Sequence, residues 1–192
     1  MRNFLFCVAA TLVVTFSLAC AAQAQYGQAG GLSNRTTDAV IRILQRDFRE
    51  CGELIIVFRY DCYSQSYRSA ADRLDGLPGY APAQEALRLV QTRISSVVSA
   101  NIDRSRRPIR QGGRVFNAVT EAAIPVLRRE TIRAMDEAQT LLLRSPSAQQ
   151  RPHYTRIASV IDSNKVLLRS ALLLLDTELR RVAGLLRGAR SG

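Results

Sequence analysis

The residues that could do chemistry in this chain are few: 192 residues carry one His, four Cys and no Trp. His153 follows Pro152 and precedes Tyr154. A zinc site would need further nitrogen or sulfur ligands at workable spacing, and general-base catalysis would need a group to orient the imidazole. Neither stands near His153 in the sequence, so it reads as a surface or capping residue. Carboxylates pair as Asp72/Asp75 and Asp136/Glu137. Glycoside hydrolysis needs two carboxylates held across a cleft, usually by different elements. Asp72 and Asp75 instead lie one helical turn apart beside Arg68 and Arg73, which reads as a solvated charged face. No HExxH, GxSxG, phosphate-binding loop, calcium loop, haem-attachment or dinucleotide motif occurs. The expectation is a protein that is not an enzyme and takes neither metal nor cofactor.

The remaining chemistry is that of thiols and guanidinium groups. Arg104, Arg106, Arg107, Arg110 and Arg114 fall within eleven residues that also hold Pro108, Gly112 and Gly113. By composition residues 104–114 form a loop. Guanidinium forks bind phosphate and carboxylate bidentately, so the five arginines are the candidate anion-binding group. Arg180, Arg181, Arg187 and Arg190 alternate with Leu179, Val182, Leu185 and Leu186, a basic amphipathic pattern suited to an anionic membrane surface.

Cys7 and Cys20 lie in a segment laid out as an export signal. Arg2 precedes an apolar run from Phe4 to Ala22, and Ala22-Gln23-Ala24 offers the small-x-small cleavage pattern. Residues 1–24 are therefore expected to be removed after Ala24. The alternatives are an uncleaved membrane anchor or lipidation at Cys20, where Ser17 stands at the position that lipoprotein sites prefer to fill with Leu. Cleavage takes one Arg and no acid, lowering the formal charge from +11 to +10. Lys165 is the sole lysine of the chain. Such an Arg bias, with abundant Ala and Leu, matches a GC-rich bacterial genome, which makes the periplasm the expected compartment. Nucleic acid would suit the charge, but an exported location argues against it.

Cys51 and Cys62 remain, an even pair in an oxidising compartment, and a disulfide is expected. Eleven residues along one continuous helix would hold the two sulfurs about 16 Å apart, far beyond a bridge. The chain must therefore reverse between them, with Gly52 placed for a helix C-cap. No Cys-x-x-Cys motif supports a redox role.

The elements that must position these groups read as helices. After a Gly-rich leader at 25–33, a stripe of Ile41, Leu44, Phe48 and Cys51 predicts the first helix. Leu54–Tyr60 is β-branched but has no partner strand elsewhere, so it reads as a buried connector or part of a helix. Asp61 is expected to cap a second helix with Tyr63, Tyr67, Ala70 and Leu74, stopped by Gly76 and Pro78. A third spans about 81–103 on Ala83, Leu87, Val90, Ile94 and Val97. A fourth, entered near Ala118 or Pro125, uses Leu127, Ala134, Ala138, Leu141 and Leu142. The last runs from about Pro152 to Leu186 on a seam that includes Tyr154, Ile157, Ile161, Asn164, Leu168, Leu172 and Leu175, with steps of three and four.

Tyr60, Tyr63 and Tyr67, with Phe48 and Phe58, read as core packed around the disulfide. Asn164 interrupts the last seam as a register-setting polar residue or a contact to a partner. Asn164, Leu168, Leu172 and Leu175 are the candidate partner seam.

The fold expected is an all-α bundle of about five helices over residues 34–188, with one disulfide, a long C-terminal helix and a short tail at 189–192. The expected function is binding: an envelope protein, or an anionic envelope surface such as lipid or lipopolysaccharide. The alternatives are an oligomeric assembly protein that pairs through the last helix, as a homo-oligomer or with another chain, and a bundle that binds a small ligand.

Overall fold

The structure, a computed structural model, describes residues 31–144 and 146–188, with side chains of the last helix described to residue 169. The export signal with Cys20, residues 25–30 of the leader, the side chains of Leu172 and Leu175 and the tail at 189–192 lie outside what is described. Five α-helices form an all-α bundle: α1 (Asn34–Glu53), α2 (Ile56–Asp72), α3 (Ala81–Ala100), α4 (Ile124–Leu143) and α5 (Arg151–Gly188). A short antiparallel hairpin, β1 (Ile109–Gln111) and β2 (Arg114–Phe116), is inserted between α3 and α4.

Ser33 starts α1 by accepting a hydrogen bond from the Thr36 amide, 3.1 Å. Leu32 packs on the core and the Ser33 amide donates to the Tyr80 hydroxyl, 3.0 Å, so the end of the expected leader is held in place. Thr37, Val40, Leu44, Phe48 and Cys51 then bury one face of the helix. Gly52 stays within α1 and takes no left-handed conformation; the reversal comes from extended backbone at Leu54 and Ile55. It brings the Cα atoms of Cys51 and Cys62 to 5.6 Å, joined by a disulfide.

The expected cap at Asp61 is not there. α2 begins five residues earlier at Ile56, and Asp61 lies inside the helix with its carboxylate turned to Asn117. The reason is burial on several sides. α2 packs against α1 and α3 and touches α4 and β2, so apolar and small residues occupy most of its circumference and the amphipathic stripe blurs. Ser64 and Ser66, buried there, donate to the carbonyls of Gln91 and Cys62, 3.3 and 3.0 Å.

Gly76 turns the chain with φ +70°, and a 3-10 turn at Pro78–Tyr80 leads into α3. α3 packs against both α2 and α4 and buries Ala83, Ala86, Leu87, Val90, Ile94 and Val98. It ends at Ala100, short of the expected Asp103, because the Asn101 side-chain amide donates back to the Val97 carbonyl, 2.8 Å. α4 enters through Pro125 in its first turn. Leu142 is buried, whereas Leu141, expected beside it in the core, is exposed.

A reciprocal cap precedes α5. Ser147 Oγ accepts from the Gln150 amide, 3.2 Å, and Gln150 Oε1 accepts from the Ser147 amide, 3.1 Å. α5 then packs on α4 and α1 through Tyr154, Ile157, Ala158, Ile161, Asn164 and Leu168. Ion pairs stitch the helices outside the core: Arg93 to Glu130 and Glu137, Arg88 to Asp72, Arg156 to Asp38 and Lys165 to Asp136. Among the described residues no helix is long and apolar enough to cross a membrane.

Candidate functional site

Residues 104–108 of the arginine segment are irregular turn, as expected of a loop, whereas 109–116 form a hairpin. Gly112 and Gly113 both have positive φ, +56° and +77°, the backbone that a two-residue turn between twisted strands requires. Pairing sets Ile109 opposite Phe116 and Arg110 opposite Val115. Side chains of directly opposed residues share a face, so the two faces divide cleanly. Ile109 and buried Phe116 point to the core; Arg110 and Val115 point to solvent.

Side-chain and backbone bonds pin the hairpin to the first two helices. Gln65 donates to the Val115 carbonyl, 2.8 Å, and the Asp61 carboxylate accepts from the Asn117 amide and side chain, 2.7 and 3.0 Å. The Val119 amide donates to the Val57 carbonyl, 2.9 Å, while Val119 also bridges Ile102. These bonds fix the backbone of the hairpin on the bundle.

The five arginines do not act alike. Arg114 reaches inward, pairing with Asp47 at 2.9 Å and Glu50 at 3.4 Å, with its guanidinium 5.4 Å from the centre of the Phe116 ring. Asp47 is buried, and it also accepts from Arg46. Two cations therefore compensate a carboxylate that would be costly to bury alone. Arg106 pairs with Asp103 at 3.3 Å and Glu121 at 3.1 Å. The hydroxyl and amide of Ser105, helped by Arg106, hold the Asp103 carboxyl below the usual carboxylate range. Arg106 and Arg114 thus belong to the scaffold, a correction to the expected set of five. Arg104, Arg107 and Arg110 are exposed, and no carboxylate among the described residues lies within ion-pair distance of them. Arg110 on β1, with Arg104 and Arg107 in the turn segment just before it, presents three exposed guanidinium groups, uncompensated among the described residues, that can bind phosphate or carboxylate oxygens from outside the molecule.

Asn164 and Leu168 are buried against this chain's own bundle rather than offered to a partner helix. The Asn164 amide donates to the Leu44 carbonyl on α1 at 3.5 Å. The fully buried Tyr67 hydroxyl faces it without reaching hydrogen-bond geometry, and burial raises the Tyr67 phenol far above its ordinary range. Asn164 therefore sets the docking of α5 on α1.

His153 is not a lone surface residue. Its Nδ1 lies 2.7 Å from Thr37 Oγ1, which lies 2.8 Å from the Tyr80 hydroxyl; that hydroxyl donates to the Ser33 carbonyl at 2.7 Å. Thr37 Oγ1 also lies 3.1 Å from the Ser33 carbonyl, so the two hydroxyls, that carbonyl and the imidazole form one connected cluster. The network ties the starts of α1, α3 and α5 together. Sequence reasoning missed it because its members are spaced across 120 residues.

The carboxylate pairs serve as ion-pair partners. Asp72 meets Arg88 on α3 rather than Arg68 or Arg73, and Glu137 meets Arg93 at 3.1 Å. Asp136, with Asp162 and Gln139, surrounds Lys165, whose ammonium donates to Asp136 and Gln139 at 2.7 Å each and pairs with Asp162 at 2.9 Å. Burial opposes its charge, but these partners outweigh burial and hold the ammonium above its ordinary pKa. A shallow groove over α4 gathers Asp136, Glu137, Arg129, Arg133 and Arg169 without His153. Among the described residues, no three His, Cys, Asp or Glu side chains are grouped to hold a metal ion.

Phe48 stacks on Tyr63, with ring centroids 4.2 Å apart, and Tyr60 meets Tyr63 edge-on at 5.9 Å. Burial pushes the Tyr63 phenol up to about 12. These rings are core. Compared with known protein families, curated proteins and solved structures, the chain has no significant match to any of them.

Proposed function

We propose that this is an exported, periplasmic, non-catalytic helical protein that binds a polyanionic surface of the cell envelope through Arg104, Arg107 and Arg110. The observation that carries the reading is the division within the arginine cluster. Arg106 and Arg114 are consumed in ion pairs that fasten the hairpin and the turn leading into it, while Arg110 on β1 and Arg104 and Arg107 in that turn are left exposed and without acid partners among the described residues. A charged exterior serving solubility alone would not need its cations held on a rigid turn. The absence of catalysis is supported by what the titratable groups are doing: His153 is engaged by Thr37, and the carboxylate pairs are engaged by Arg88, Arg93 and Lys165.

Envelope association should depend on those three arginines. Replacing Arg104, Arg107 and Arg110 together by Ser abolishes retention of the tagged protein on isolated envelope. Retention of the unaltered protein falls as salt rises to about 0.5 M, where the Debye length is below roughly 5 Å. Arg114→Ser keeps retention but lowers thermal stability, since it leaves the buried Asp47 short of a partner. Unchanged retention of the triple variant would overturn the reading. One protein recovered at fixed stoichiometry above 0.5 M salt would replace it with an adaptor role.

A second reading, an assembly protein, rests on length. α5 runs 38 residues, against 20 each for its neighbours α1 and α4. At 1.5 Å per residue that is about 57 Å against about 30 Å, so its C-terminal half outruns the helices on which it packs. Self-association through that half should disappear on Leu175→Glu, read as a fall in mass by light scattering. A monomer at all concentrations before the substitution removes the reading.

A further inference from the structure

The arginine hairpin does not stand alone at its end of the molecule. Ile55, at the α1–α2 reversal, is 65 % exposed, the most exposed large apolar residue described, and Ile102, just after α3, is 40 % exposed. The backbone brings the two segments together: Ile102 bridges Val119, and the Val119 amide bonds to the carbonyl of Val57, two residues from Ile55. Arg104 follows Ile102 by two residues, and the outward face of the hairpin sets Val115, 42 % exposed, opposite Arg110. Arg59 sits at the same reversal, donating at 2.7 Å to the carbonyl of Leu54, which follows exposed Glu53 in sequence.

Single exposed apolar residues are ordinary on a protein surface; apolar residues gathered among uncompensated cations are a narrower pattern. A specific protein interface buries about 800 Å² per partner around a continuous apolar centre, which separate isoleucines ringed by arginine do not supply. A lipid surface has no such requirement. It accepts individual apolar side chains below the headgroups while arginines meet the phosphates, and each basic residue near an anionic leaflet adds attraction.

We infer that this end of the bundle docks on an anionic lipid bilayer, with Ile55 and Ile102 entering the interfacial layer and Arg104, Arg107 and Arg110 holding lipid phosphates. The inference rests on the proposed function and names its target. The purified protein is to be sedimented with vesicles of mixed phosphatidylglycerol and phosphatidylcholine, with vesicles of phosphatidylcholine alone, and assayed in parallel for binding to soluble polyphosphate. It should partition to the anionic vesicles and not to the neutral ones. Ile55→Ser with Ile102→Ser should weaken vesicle partition by more than about tenfold and leave polyphosphate binding unchanged, since loss of one buried isoleucine alone is worth about that factor. Ile55→Trp, an exposed substitution that keeps the fold, should strengthen partition because indole favours the interface.

Vesicle partition that is insensitive to all the isoleucine variants overturns insertion. Polyphosphate binding without vesicle binding overturns the bilayer as target and leaves the anion-binding reading standing. Loss of both in the protein itself removes the two together.

Discussion

Leu87→Ala lowers the free energy of unfolding by about 2–5 kcal/mol. Leu87 has no exposed surface, and it sits on α3, which packs on both α2 and α4. Removing its three terminal carbons forfeits their transfer from water and leaves a cavity that two helices would have to close at once. Neither can do so freely. α2 is tied to α1 by the disulfide, and α4 is tied to α3 by the pairs that Arg93 makes with Glu130 and Glu137. Leu89→Ala, on the same helix but only partly buried, serves as the control and costs about 1 kcal/mol or less. Denaturant unfolding followed by circular dichroism measures both. Equal midpoints for the two variants would mean that α3 does not hold the central position.

The second large effect is removal of the disulfide. Cys51→Ala with Cys62→Ala, or reduction of the unaltered protein, lowers stability by about 2–3 kcal/mol and the melting temperature by about 4–12 °C. The bridge closes a short loop, with a sequence separation of 11, so the gain comes from restricting the unfolded chain. The folded pair itself should persist after reduction. Phe48 on Tyr63, and Leu44, Val57 and Tyr67 around them, keep α1 against α2 by burial alone. Melting with and without reductant at neutral pH tests this. Coincident curves would show that the bridge contributes nothing beyond packing. A complete loss of helical signal on reduction would show that packing alone does not hold α1 on α2.

How much of this could be read beforehand follows from where each helix sits. The stripes of α1, α3, α4 and the first half of α5 are visible because each of these helices buries one side and wets the other. α2 escapes because it is covered on several sides, so its start was placed at Asp61, five residues late. The hairpin was hidden by composition. Arginine and glycine read as loop, yet Gly112-Gly113 between Ile109-Arg110 and Val115-Phe116 is a two-residue turn signal.

The division of the arginine cluster was not legible at all. Five similar residues in eleven positions carry no mark of which will meet an acid. Arg114 is fixed by Asp47 and Glu50, more than sixty positions earlier, and Arg106 by Glu121 across the hairpin. Only the folded chain brings those carboxylates within 3 to 4 Å.

Sequence alone determined the helical class, the cysteine pair and the basic surplus, because periodicity, parity and charge are local sums over residue types. The tertiary structure decided which groups are compensated and which stay exposed: the ion pairs of Arg106 and Arg114, the exposure of Arg104, Arg107 and Arg110, the inward turn of Asn164 and the network around His153. Hydrogen bonds and close ion pairs need their partners within about 3 to 4 Å, so they depend on the distance between side chains in space and not on separation along the chain.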